Sequence, residues 1–390
     1  MWASLWGSAE PAPAPAAAPT AEEEATWYLR PSADQVAALK AFRERLAAED
    51  LLVPNHDDDC TLLRFLMARD FNLDKATAMY RDMRAWRLEQ QVEGLWEADP
   101  TGSAFPEMDR LLQVYPHFTF NTDRFGRPVY IELLGRTDAG ALFDTISMER
   151  LVRYHIWTWE RYLRLYLPAC SEAAGHQVCT TTVVIDLAGL SMKNFNSATQ
   201  KLLHTFSKID QDYYPEHLGC MFVINTPLVF RAVWAMVQPL LQERTKRKIR
   251  ILGQDYLDEL TQVVPLERLP DILGGGAKLD TSTYRSVGPW TERAEALAAE
   301  ARAQQGQGLA QASAEASASD AGSGSRGGAA DSSEPQSPSA LERQGSAPAD
   351  ACAAVQAGGE EACEQGSGRE GLEGAGAAAQ ALAALKVAQA

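Results

Sequence analysis

The chain carries no aromatic residue after Trp290. Its last hundred positions are mostly Ala, Gly, Ser, Gln and Glu, which cannot bury enough apolar surface to offset the entropy of ordering. The core therefore has to come from roughly the first 290 of the 390 residues. Positive charge is scarce too: 36 Lys and Arg stand against 52 Asp and Glu, a net charge of -16. The stretch 301–390 holds five basic and eleven acidic residues and so supplies six of those charges. An acidic body argues against general nucleic-acid binding, which needs a basic face, but leaves room for a local basic patch. No apolar run reaches the length of a transmembrane helix, so any membrane contact is expected to be peripheral. Met1 to Glu10 lacks a basic n-region and a long apolar h-region, so no secretory signal is expected. The six cysteines, Cys60, Cys170, Cys179, Cys220, Cys352 and Cys363, show no metal-ligand or redox spacing. That is the thiol pattern of a reducing compartment, and the expected location is cytoplasmic.

Enzyme signatures are mostly missing. There is no Gly-x-Ser-x-Gly elbow, no Walker loop and no His-Glu-x-x-His. A Gly-x-Gly-x-x-Gly match at Gly322, Gly324 and Gly327 lies in the Ala/Ser/Gly tail, with no strand before it and no helix after it. The geometry that makes those glycines useful to a dinucleotide is absent. His176 reads as a turn or core histidine rather than a base. Asp186 ends an apolar strand, where it is either a catalytic carboxylate or, more commonly, a brace for a neighbouring loop. No catalytic residue, cofactor or metal is expected.

In chain order, 1–29 reads as a disordered leader, Ala/Pro-rich and then acidic. Residues 30–98 read as a small helical domain. Ser32 with Gln35 makes a capping box, followed by Val36, Leu39, Phe42 and Leu46 at helical spacing. Asp57 to Asp59 caps a second helix. Asn72 to Asp74 breaks that helix and caps a third, with Ala76, Met79, Tyr80, Met83 and Trp86 on one face. Residues 107–278 then alternate. Asn121 to Pro128 is turn chemistry leading into a strand at Val129 to Leu134. A long helix is predicted over Ser147 to Leu167, a strand over Thr180 to Leu187, and a helix over Ala198 to Ile209. Further strands are predicted over Cys220 to Asn225 and Lys248 to Leu252, with a last short helix over Thr261 to Pro270. Strands separated by helices imply an α/β fold with a largely parallel sheet. Residues 279–290 connect to a low-complexity tail, 291–390, whose first part, to Ala303, has helical character.

One stretch stands out. The Cys220 to Asn225 run suits a buried parallel strand. Leu228 to Leu241 follows as a helix apolar over most of its girth, with Arg231, Gln238 and Gln242 making one narrow polar stripe. Pro239 should bend or end it. A basic cluster comes next: Arg244, Lys246, Arg247, Lys248 and Arg250. Two readings stand side by side: a core helix followed by a solvated charge run, or a site for an amphipathic anion.

Several motifs in order carry a resemblance. Leu167 to His176 (LPACSEAAGH), Val184 to Ser191 (VIDLAGLS), Tyr213 to Glu216 (YYPE) and Leu269 to Gly275 (LPDILGG) closely resemble the CRAL-TRIO lipid-binding family. The branch is the secretory-pathway phosphatidylinositol/phosphatidylcholine transfer proteins. Asp58 to Arg69 looks like the helical domain that precedes the lipid domain there, and the match is collinear over about 30–290. The resemblance implies a small all-helical N-terminal lobe packed on an α/β lobe, whose mostly parallel sheet floors a deep apolar pocket. Leu228 to Leu241 would be the gating helix, with Phe230, Val233, Trp234 and Val237 on it. The physics fits: exposing about thirty methylenes at ~0.8 kcal/mol each costs on the order of 25 kcal/mol, which a closed cavity offsets and a surface groove does not.

By resemblance, Arg69, Glu216, Thr245 and Lys248 would hold the phosphatidylinositol headgroup. These are basic groups for phosphate, a hydroxyl donor, and a carboxylate for inositol hydroxyls. The alternative for Arg69 and Lys248 is a solvated side chain. Asp70 departs from the family, which usually has a basic residue there. Tyr130, Glu132, Thr181, Asp210 and Tyr214 would line the pocket for a second lipid, phosphatidylcholine in the family. Here Thr119 replaces an aromatic, Val183 a hydroxyl, Asp210 a serine and His217 an arginine. Losing the aromatic removes cation–π support for a quaternary ammonium. The resemblance thus implies a monomeric phosphatidylinositol transfer protein that makes no covalent bond and meets membranes transiently. It would support phosphoinositide signalling and Golgi vesicle traffic. Three alternatives remain: a carrier of a sterol, tocopherol or retinoid; an α/β hydrolase; and a lipid-sensing adaptor whose tails recruit a partner.

Overall fold

The structure is a computed structural model that describes residues 28, 30–102, 104–190, 197–227, 230, 247–301 and 303. It begins with a helical lobe: α1 (Ala33–Ala48), α2 (Asp59–Ala68), α3 (Leu73–Glu89) and α4 (Val92–Ala98). Ser32 and Gln35 form the reciprocal capping box, Asp58 caps α2 and Asn72 caps α3. Each cap accepts from an otherwise orphaned backbone N–H of the first turn. The stripe of Phe42, Leu46, Leu62, Phe65, Leu66, Tyr80 and Met83 closes into the lobe's core. Burying one such aliphatic or Phe side chain is worth about 1.5–3 kcal/mol.

A second lobe follows. Among the described residues it contains α5 (Met108–Val114), β1 (His117–Thr122), β2 (Pro128–Glu132), α6 (Ala139–Thr145) and α7 (Met148–Arg161). After these come α8 (Leu167–Ala174), β3 (Thr181–Asp186), α9 (Ser197–Tyr213), β4 (Leu218–Ile224), β5 (Ile249–Ile251) and α10 (Leu257–Thr261). The strands form one sheet in the order β1-β2-β3-β4-β5. β1 and β2 are antiparallel, and every other pair is parallel. The α/β reading and the mostly parallel sheet hold.

Strand periodicity divides the work of the sheet. Val129, Ile131, Val184, Phe222 and Ile224 face a core completed by Leu260, Val263, Val264, Leu269 and Leu273. The alternate residues, Tyr130, Glu132, Thr181, Val183, Ile185 and Met221, line a pocket on the other face. All seven β4 residues are buried, as an apolar run in a central parallel strand should be. The β1–β2 turn is held by Asp123, which accepts from Arg127 Nε at 2.6 Å and from Thr182 Oγ1 at 2.7 Å. Gly126 in that turn has φ 78, and a Cβ there would meet Ala174 Cβ at 2.7 Å.

Several expectations need correction. β1 (His117–Thr122) is not among the predicted strands: it precedes the expected turn stretch and overlaps it at Asn121 and Thr122, as an edge strand with a register shift between Thr119 and Thr122. The long helix does not end at Leu167. It passes through a π-turn, Tyr162–Tyr166, into α8, which stops at Gly175 in the left-handed region. The last short helix is α10 at Leu257–Thr261, and Leu266–Arg268 is a 3-10 turn after Pro265. The helical character expected at the start of the tail holds over 291–301, but that helix is packed rather than free, with Ala294 and Leu297 against the cluster around Trp290. Tyr28, inside the expected leader, is buried against Cys60 and Cys179. Those two cysteines, unpaired in the sequence reading, form a disulfide with Cα atoms 5.8 Å apart.

The lobes meet at a buried ion network. Arg87 of α3 donates from Nη1 and Nη2 to Glu160 of α7, at 2.8 and 3.0 Å. Arg164 Nε (3.0 Å) and the Tyr214 hydroxyl (2.8 Å) also donate to Glu160, which is 0% exposed. Trp86 stacks on Tyr213 beside it, with centroids 4.1 Å apart.

Candidate functional site

The pocket lies on the sheet face described above and is roofed by α7 and α9. Its empty space, including the open mouth, is about 920 Å³. Most of its wall is aliphatic or aromatic, and its polar groups converge in two places.

The first is Glu132 at the end of β2. Strand alternation turns its carboxylate into the pocket, where the Tyr115 hydroxyl donates to it at 2.9 Å. Burial pushes the Glu132 carboxyl up to about 7, although the Tyr115 hydrogen bond pulls the other way. The second place is Asp210 on α9. Its Oδ1 accepts from Trp159 Nε1 and lies against His155 Nε2, each at 2.6 Å. His155 stacks flat on Phe206, 3.9 Å between centroids. His155, Thr158, Trp159 and Tyr162 reach the pocket from consecutive turns of α7 and the π-turn that extends it. The Tyr162 hydroxyl shares a 2.5 Å hydrogen bond with Thr119 Oγ1. Just behind, His117 donates from Nδ1 to the Tyr115 carbonyl (2.8 Å) and accepts at Nε2 from the Tyr154 hydroxyl (3.1 Å). Burial pushes His117 down to about 4, which keeps it neutral in that arrangement.

Of the residues expected at the second-lipid site, Tyr130, Glu132, Thr181 and Asp210 all line the pocket. Tyr214 stands elsewhere: its hydroxyl belongs to the Glu160 network, and its ring stacks on Trp159 at 5.1 Å. His217, also buried, is held well below the usual histidine range by burial, so it cannot supply the charge of the arginine it replaces. Tyr115, His155, Trp159 and Tyr162 escaped the sequence reading. The available signal was the polar-aromatic stripe on α7, which looks like ordinary core.

Of the headgroup residues, Glu216 and Lys248 come together, with Nζ 3.2 Å from Oε2 and side chains 11% and 12% exposed. They precede β4 and β5, so the parallel pairing brings them to one edge of the sheet. Arg69 caps the C-terminal end of α2, half-buried, with Nη1 donating to the Ala68 carbonyl at 2.9 Å. Asp70 beside it is exposed. Thr245 lies outside the described residues, as do Val233, Trp234 and Val237 of the expected gating helix. Phe230 is described and buried at 9%, packed with Ile185, Leu218 and Met221. Asp186 is a brace: its Oδ1 accepts from Ala188 N and Asn225 Nδ2.

A helical lobe on an α/β lobe, with a mainly apolar pocket over a parallel sheet, defines a ligand-binding protein of the carrier type. The CRAL/TRIO domain model matches residues 112–275, and the CRAL/TRIO N-terminal domain model matches 38–82. The SEC14 cytosolic factor of Kluyveromyces lactis is 37% identical over 265 residues, covering 66% of this chain and 85% of that protein. The phosphatidylinositol/phosphatidylcholine transfer proteins SFH7 and SFH12 of Arabidopsis thaliana are each 38% identical, over 262 and 261 residues. Both alignments cover 66% of this chain and 47% of the relative, so the chain spans about half their length. The solved structure titled "Crystal structure of Sfh5" aligns over 59% of this chain and 83% of its own, with 20% identity and a TM-score of 0.44. This chain belongs to the CRAL/TRIO family. The names of the two Arabidopsis relatives describe transfer of phosphatidylinositol and phosphatidylcholine. No described helix is long and apolar enough to cross a membrane.

Proposed function

We propose that this chain is a phosphatidylinositol transfer protein: it carries one phospholipid in its pocket and exchanges it for a second at membranes. The observation that carries the reading is the Glu216–Lys248 pair at one edge of the sheet, next to the strands that floor the pocket. Lys248 supplies charge for a phosphodiester, and Glu216 accepts from inositol hydroxyls. The acyl chains take the apolar floor, where Val183, Ile185, Leu218 and Met221 offer no polar partner. A ligand that seats its phosphate on Lys248 and its inositol hydroxyls on Glu216 exchanges one ion pair for several charge-assisted hydrogen bonds.

The second lipid is phosphatidylcholine. Glu132 gives the pocket a carboxylate, and Tyr115, Tyr130, Trp159 and Tyr162 give it aromatic surface. Tyr162, tied to Thr119, supplies an aromatic ring beside the position where Thr119 itself offers none. An aromatic face is worth about 0.5–2 kcal/mol to a quaternary ammonium, more when the site is dry. The work is done in the cytoplasm with transient membrane contact, and it supports phosphoinositide supply and Golgi vesicle traffic. Native mass spectrometry of the purified protein tests the reading. The expected adduct has the mass of a phosphatidylinositol or phosphatidylcholine, and a sterol, tocopherol or retinoid mass would contradict it.

A further inference from the structure

The disulfide between Cys60 and Cys179 joins the two lobes, and nothing in the transfer reading uses it. Cys60 lies in the first turn of α2, in the helical lobe. Cys179 lies two residues before β3, in the lipid-binding lobe, with a sequence separation of 119. Their Cα atoms, 5.8 Å apart, are at an ordinary distance for a bonded pair. Non-covalent ties converge on the same point. Arg64, one turn beyond Cys60, is buried and donates to the Cys179 carbonyl at 3.1 Å, and Tyr28 packs on both cysteines.

Both cysteines are buried, Cys60 less completely than Cys179. Cys179 is 1% exposed, whereas Cys60 is 7% exposed and lines, with Arg64 and Arg164, a cleft whose empty space, including its open mouth, is about 1350 Å³. A thiol or disulfide from solution therefore meets Cys60 first, and Cys179 reacts only with Cys60. Another cysteine of this lobe, Cys170, is fully buried, and burial pushes its thiol up to about 12, which removes it from exchange chemistry.

The joint also reaches the headgroup edge. Two residues beyond Cys179, Thr181 lines the pocket and donates its N–H to the His217 carbonyl at 2.8 Å; His217 follows Glu216. On the other side, α2 runs from Cys60 to its C-cap, Arg69. The bond thus fixes the helix that carries Arg69 to the sheet edge that carries Glu216.

We propose that Cys60–Cys179 is a reversible redox joint between the lobes, and that closing it slows phosphatidylinositol exchange. The second half rests on the transfer reading. Closure takes two exchanges with a small disulfide such as glutathione disulfide. The Cys60 thiolate attacks one sulfur and releases a first glutathione thiol. The Cys179 thiolate then attacks Cys60 in the mixed disulfide and releases the second. Two electrons pass to glutathione disulfide, and the two cysteine protons end on the two glutathione thiols. Reduced glutathione reverses both steps. In a reducing compartment such a pair is a sensor rather than a permanent staple.

The full chain is equilibrated in glutathione buffers of graded ratio, quenched with an alkylating agent, digested, and analysed by mass spectrometry. Melting and phosphatidylinositol transfer between liposomes are measured on the same samples. The expected result is a Cys60–Cys179 linked peptide that gives way to two alkylated peptides as the buffer becomes reducing. The melting temperature should fall by roughly 10 °C on reduction, given the long loop closed, and transfer should rise severalfold. In Cys60→Ser, buffer ratio should change neither melting nor transfer. Absence of the linked peptide at every ratio, or wild-type melting indifferent to reduction, overturns the joint. A linked peptide with equal transfer in both states overturns its control of exchange. If neither state transfers phosphatidylinositol, the transfer reading fails, while the peptide and melting data still decide the joint.

Discussion

Removing Arg87 tests how the helical lobe is held. In Arg87→Ala, Glu160 stays buried at 0% exposure and loses the two donors at 2.8 and 3.0 Å. Breaking a buried pair from one side costs about 3–5 kcal/mol. Arg164 and Tyr214 still donate to the carboxylate, which favours the lower end, about 3 kcal/mol. For a protein of this size that is a fall in melting temperature of roughly 6–12 °C. Acid should narrow the gap. Burial alone raises the Glu160 carboxyl, but His56 and Arg87 outweigh it and hold the group well below the usual range. A depressed folded value means the contribution is present above an unfolded pKa of about 4.3 and is lost as pH falls through the folded one. The variant lacks Arg87's share of that contribution at any pH, so the difference from wild type should shrink between pH 7 and pH 3. Urea denaturation at both values, followed by circular dichroism, measures it. A loss below about 1 kcal/mol at pH 7, or a gap that widens in acid, would refute the assignment of this network as the clamp between lobes.

Glu132→Gln should raise stability at pH 8 and leave it unchanged at pH 4. The carboxyl is raised to about 7 by burial, so wild type loses up to ~3 kcal/mol as pH climbs from ~4.3 through 7; a thermal melt at each pH checks the sign. The same substitution should weaken phosphatidylcholine transfer more than phosphatidylinositol transfer, as should Tyr162→Ala, measured with each labelled lipid between liposomes. Deleting residues 304–390 should leave the melting temperature within a degree or two, because that stretch has no aromatic to bury. Deleting from Thr291 should cost several degrees more, because Ala294 and Leu297 leave the cluster around Trp290.

The legibility of this chain follows the range of the signals. Ser32 with Gln35, and the apolar run of β4, act within a few residues and can be read directly. β1 escaped because Asn121 sits at φ 54 inside it and the register shifts there, so polar turn residues interrupt the alternation. The helix predicted across Thr261 to Pro270 fails at Pro265, which leaves an α-turn before it and a 3-10 turn after it. Glu216 and Lys248 are 32 residues apart, and no spacing rule joins them; their pairing comes from two parallel strands that begin at one edge. The Cys60–Cys179 bond lies beyond both kinds of signal: 119 residues separate the pair, and one partner sits in each lobe. On α7, Trp159 and Tyr162 are aromatic residues at helical spacing, a pattern that cores and pockets share.

The central claim is that Glu216 and Lys248 hold an inositol phosphate at the end of the sheet where β4 and β5 begin. Transfer of labelled phosphatidylinositol between liposomes by wild type and by the Glu216→Ala, Lys248→Ala double variant tests it most directly, with circular dichroism as the check on folding. The double variant should keep its fold and its phosphatidylcholine transfer while phosphatidylinositol transfer drops to background, since a buried phosphate would lose its charge-assisted bonds. Phosphatidylinositol transfer at the wild-type rate in the folded double variant would contradict the site.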